Sequence, residues 1–278
     1  MNCAPRNRLP RWGYRIASMA AALFVPFAHC GPHASSDSGM LNVFLRSTYG
    51  PAANTGSPWG KETGRERLSK IEKSVCAHRK IKLHDGRHDL LAVCTTYRDA
   101  PHANSGEIDL YVLSPRNGKL VVDASSLHES SGNFGNPGSV SFLKLGPETY
   151  GFLIAVTWYG YGEADSFQTL MAQKGKTIVD VASFDGALEN LLDHENTSTA
   201  ELKAEKISMK FDLSIKRDTV AAGFYPLRVL EHGIECGRVI SRTWRLAFDP
   251  VSWSYRLPPA LSRDGCTQST KQTPEKHQ

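Results

Sequence analysis

Residues able to do chemistry gather in three places. The densest is Trp158-Tyr159-Gly160-Tyr161-Gly162-Glu163-Ala164-Asp165, where aromatic rings are interleaved with glycine and two acids close the run. Tryptophan and tyrosine offer large contact area at small entropic cost and concentrate at binding hot spots. Trp158, Tyr159, Tyr161, Glu163 and Asp165 are therefore expected to form a recognition loop. The competing structural reading buries Trp158 as core. Glu163 and Asp165 are also the close acid pair in an aromatic setting, the pairing that glycoside hydrolysis requires.

The second place is His84-Asp85-Gly86-Arg87-His88-Asp89. Zinc needs convergent ligands with oriented outer partners. A hairpin tip is polar simply because it meets water. The tip is preferred, and neither a metal nor any other cofactor is expected. The third is the loop SSGNFGNPGS at 130–139, which carries Phe134. It lacks the lysine of a phosphate loop and the acidic spacing of a calcium loop, so Phe134 is read as a contact residue. The signatures G-x-S-x-G and H-E-x-x-H are absent. His78, His102, His128, His194 and His232 are scattered, and Asn196-Thr197-Ser198 fits a glycosylation sequon.

The elements that must hold these residues are mostly strands. Ile207, Met209, Phe211, Leu213 and Ile215 alternate strictly with polar residues, which is the period of a strand. Ile108, Leu110 and Val112 alternate ahead of an Asn117-Gly118 hairpin signal. The spacing also predicts strands over 40–46, 75–83, 89–97, 244–248 and 251–257, the last two joined by an Asp249-Pro250 turn. Short helices are expected over 64–74 and over 186–194, the latter capped by Asp185. A weak repeat relates 89–125, 151–183 and 224–257, most visibly in GKLVVDAS against GKTIVDVAS. Three units are few for a closed propeller. The expected fold is mainly β: antiparallel sheets built from repeated three- to four-stranded meanders, propeller-like or sandwich-like, with one or two short helices.

The N-terminus frames where this fold works. Arg6, Arg8, Arg11 and Arg15 precede an acid-free apolar run over 16–28, followed by small and helix-breaking residues. That is the pattern of a signal peptide over 1–30, too short for a membrane span. An irregular arm over 31–66, a β domain over 67–266 and a disordered tail over 267–278 follow. The net charge of +5 falls by those four arginines to +1, which leaves no electrostatic case for nucleic acid. Cys76, Cys94, Cys236 and Cys266 form an even set in an exported chain and are expected as disulfides. The favoured pairing is Cys76–Cys94 and Cys236–Cys266, and Cys30 is a candidate lipid anchor. Together these features lead us to expect a periplasmic or secreted, non-catalytic protein that binds another macromolecule, for example as the neutralising partner of a toxin or hydrolase. An envelope hydrolase acting on glycan or lipid, or a structural part of an envelope assembly, is the alternative.

Overall fold

A computed structural model describes residues 36–60, 71–160, 163–190 and 204–261. The leader, Cys30, Asn196, Cys266 and the tail lie outside the described residues. The fold is mainly β. Helix α1 (Ser36–Tyr49) precedes a first meander of β1 (Ile71–Leu83), β2 (Gly86–Tyr97), β3 (Gly106–Arg116) and β4 (Lys119–Ser131). A second meander follows with β5 (Ser139–Lys144), β6 (Tyr150–Gly160), β7 (Glu163–Lys174) and β8 (Thr177–Asn190). The strand order is β1-β2-β3-β4-β8-β7-β6-β5. The meanders meet at their last strands, which run parallel and share a single residue pair, Ser125 with Thr177. GKLVVDAS and GKTIVDVAS thus open the two strands that touch. Strands β9 (Ser208–Ile215), β10 (Leu227–Glu235) and β11 (Arg238–Leu246) extend the far end of β8. A hairpin of β12 (Phe248–Asp249) and β13 (Ser254–Tyr255) closes the described chain with a 3-10 turn at Pro259–Leu261.

Strand alternation explains how these pieces pack. Leu90, Ala92, Ile108 and Leu110 of the first meander form one cluster with Phe152, Ile154, Met171 and Ile178 of the second, a sandwich-like core. The opposite face of the first meander puts Leu91, Val93, Tyr111 and Leu113 under Leu41, Phe44 and Leu45 of α1. The opposite face of the second packs Leu170, Val181 and Phe184 against Met209, Phe211, Leu227 and Val229. The outer edges of β1 and β5 also meet, where Arg79 donates to the Phe142 carbonyl at 3.2 Å and lies over its ring.

Several local expectations are corrected. Residues 40–46 are helical rather than a strand, because spacing 41, 44, 45 lays one face on the first meander. Gly50, at φ 102°, ends that helix with its amide on the Arg46 carbonyl. The helix expected over 186–194 is instead the end of β8. Leu188 sits in register between Asp165 and Met209, so pairing on both sides overrides a local helical pattern; 191–194 lie outside the described residues. Residues 71–74 open β1 rather than end a helix, and 64–70 are likewise outside. Residues 251–253 form a turn, with Trp253 at φ 55°. The alternation at 251–257 reflects rings packing, since Trp253 and Tyr255 enclose the stacked Phe224 and Phe248.

The disulfide expectation is met in one pair. Cys76 and Cys94 are bonded, with Cα atoms 5.6 Å apart. The hairpin turns at His84-Asp85 rather than Asp85-Gly86, and a bulge at Cys76 between Val75 and Ala77 swings the thiol toward Cys94. Cys236 is disulfide-bonded as well; its expected partner Cys266 is outside the described residues.

Candidate functional site

The ends of β2, β4 and β6 share one rim of the sandwich. The Tyr97 amide at the end of β2 donates to the Gly135 carbonyl, and the amides of Phe134 and Gly135 donate to the carbonyls of His102 and Asn104 of the 98–105 loop. This docking needs glycine: a Cβ on Gly135 would lie 2.0 Å from the Tyr97 carbonyl. Phe134, itself at φ 50°, is thereby held outward and is 51% exposed.

His102 joins the loops into a platform. Its ring stands edge-on to Phe134 at 4.5 Å and tilted to Trp158 at 5.8 Å, and its Nε2 bonds the Tyr159 carbonyl at 2.9 Å. Nε2 must donate there, because a carbonyl only accepts. Asn133 adds a bond to the Thr157 carbonyl. Tyr159 is 59% exposed and Phe167 45% exposed, whereas Trp158 is half-buried. Asp165 lies directly opposite Trp158 in the β6–β7 ladder. Phe134, Trp158, Tyr159 and Asp165 therefore meet at one rim. Tyr161 and the side chain of Glu163 are outside the described residues. His102 and Phe167 were missed by the sequence: a lone histidine in a loop and a phenylalanine in a strand carry no distinguishing pattern.

No family model, curated protein or solved structure matches this chain.

The 84–89 cluster diverges. His84 bonds Glu148, His88 lies between Asp85 and Asp123, and Asp89 bonds His78 at 2.7 Å. Asp123 also accepts from Ser114, so the acid stands between histidine and serine. Nucleophilic catalysis needs the histidine in the middle. Among the described residues no group of three or more histidine, cysteine or acid side chains is placed to hold a metal.

A second network lies on the α1 face of the first meander. Asp109, 3% exposed, accepts from Tyr49 at 2.8 Å and from the His128 amide at 2.9 Å, with Lys73 Nζ 3.6 Å away. Glu107 bridges Tyr97 at 2.6 Å and His128 Nδ1 at 2.8 Å. Burial and the bond to Glu107 push the Tyr97 phenol up to about 12. Burial works to raise Glu107, but hydrogen bonds from Tyr97 and His128 and the Lys73 charge bring it below the usual carboxylate range. Across the β4–β8 seam, Asp180 is raised by burial and by the charge of Glu129.

Proposed function

We propose that this chain is a non-catalytic binding module of the cell envelope, and that the rim around Trp158 contacts another macromolecule. A protein that neutralises a toxin or hydrolase is one concrete form. The observation that carries the reading is the exposure of Phe134, Tyr159 and Phe167 beside a histidine-braced tryptophan. Exposed aromatic side chains are enriched at binding hot spots. An oxidising location, periplasmic or secreted, is supported by the Cys76–Cys94 bond and by the leader-like N-terminus. The test is capture of partners from envelope extract by wild type and by Trp158→Ala/Tyr159→Ala. Undiminished capture by the folded double variant would remove the rim from consideration.

A second reading is a hydrolase acting on envelope glycan or lipid. It is favoured by Asp180, a carboxyl raised by desolvation and by the charge of Glu129, the direction a general acid requires. Release of reducing sugar or fatty acid from envelope material, abolished by Asp180→Asn, would support it over the first.

A further inference from the structure

We propose that this chain pairs with a second copy of itself through the open edge of β11, joining the β9–β11 groups of the two copies into one continuous sheet. The contact is separate from the rim around Trp158 and does not depend on it.

An open sheet edge presents unbonded amides and carbonyls that invite another strand. The outer edges of the two meanders meet each other at Arg79 and Phe142. Strand β11, by contrast, pairs with β10 alone among the described residues. Cys236 and Gly237, at φ 51° and 71°, make the tight turn between these two strands. Glu235 and Arg238 therefore form the first hydrogen-bonded pair. Bonded pairs recur at every second residue, so Ile240, Arg242, Trp244 and Leu246 bond β10 through their backbone. The amides and carbonyls of Val239, Ser241, Thr243 and Arg245 point to the open side. That stretch has no proline and its pairing no bulge, and Val239 is 85% exposed. At Ala247 the same side is closed, because its carbonyl accepts the Arg256 amide at 3.0 Å. The edge is thus open from Val239 to Arg245.

This closure and the arginines together select a register, and with it the occupant. An antiparallel copy centred on Ser241 sets that serine opposite its own equivalent and Val239 opposite Thr243 of the second copy. On the other face of the sheet, Arg238 meets Trp244 and Ile240 meets Arg242. No two arginines are opposed. The Trp244 indole is held by Glu231 at 2.7 Å and can take a guanidinium over its face. Arg242 has its own acids, Glu231 at 3.7 Å and Glu235 at 3.9 Å. Sliding the copy one step toward the turn opposes Arg238 with Arg242 twice, and like charges directly opposite destabilise a sheet. Sliding it the other way opposes Arg242 with itself and brings the copy's turn against Arg256.

The test is sedimentation of the disulfide-intact full chain across about 1 to 300 μM, the range suited to an interface of one strand pair. A monomer–dimer equilibrium is expected. In the dimer, hydrogen exchange should slow at the Val239, Ser241 and Thr243 amides and stay unchanged at Ile240 and Arg242, which β10 already protects. Ser241→Pro removes the central amide and spares every bond to β10. It should weaken dimerisation by about tenfold or more, with the thermal midpoint little changed. Val239→Lys leaves the backbone intact at an exposed position, so it should fold even if the proline variant does not. An edge lysine should weaken the dimer as well. A monomer at every concentration, or a dimer that Val239→Lys forms as readily as wild type, would overturn the proposal. So would a dimer lost in Trp158→Ala/Tyr159→Ala but kept in Val239→Lys, since the contact would then lie at the rim.

Discussion

Single side chains decide whether the rim exists. Gly135→Ala would force a Cβ against the Tyr97 carbonyl and demand φ of +71° from a residue that resists it. A loss of about 2 kcal/mol is expected in urea denaturation, with the fluorescence of Trp158 perturbed as the 132–138 loop lifts. Glu231 tells a similar story inside the third group of strands. It is 1% exposed, accepts from Trp244 Nε1 at 2.7 Å, and lies 3.7 Å from Arg242. Glu231→Ala leaves an indole N–H and a guanidinium without that acceptor and should cost about 3 kcal/mol; Glu231→Gln, which can still accept, should cost less in the same assay. Glu107 sets a pH dependence. Its folded pKa is depressed, so its contribution is present above the ordinary carboxylate value and is lost as pH falls through the folded one. The acid limb of stability in wild type should therefore be steeper than in Glu107→Gln when thermal midpoints are compared below about pH 5. Little of this was legible beforehand. Phe134, Trp158, Tyr159 and Asp165 stood out by type and crowding. His102, Glu107 and His128 acquire meaning only from neighbours distant in the chain.

At the scale of elements, legibility followed locality. Asn117-Gly118 takes φ of 51° and 73°, the left-handed pair a tight hairpin demands. The strand over 207–215 formed almost as its alternation required. Failures came where a short apolar pattern had to be assigned by its covering surface. Residues 40–46 have apolar side chains enough for either element, and the curved face of the first meander selects the helix. Leu188 satisfies a helical stripe, yet two neighbouring strands offer it a ladder. The β1–β2 hairpin shows both sides: its cysteines were paired correctly, but only a bulge at Cys76 makes the pairing possible. Cys76→Ser/Cys94→Ser should lose about 3 kcal/mol, as expected for a closed loop of this length. Hydrogen exchange should rise most along β1, whose other neighbours are few.

For the whole molecule, each meander is coated by something different. The first carries α1, and the second carries β9 to β11. Deleting 36–49 would expose Leu91, Val93 and Leu113, all fully buried in the native fold. The truncated chain should bind a hydrophobic dye and lose its cooperative thermal transition. The rhythm of the two meanders was visible in the sequence as GKLVVDAS and GKTIVDVAS. Their junction was not, because antiparallel units give no hint that their last strands will lie side by side in the same direction. That junction has a mechanical consequence. Within each meander, neighbouring strands are zipped by long ladders, whereas β4 and β8 share one rung, Ser125 with Thr177. Tension across the seam is carried mainly by side-chain packing, with the backbone adding a bond from the Ser125 amide to the Lys176 carbonyl, so under load the two halves should part there first, each tearing away intact like pages from a shallow binding.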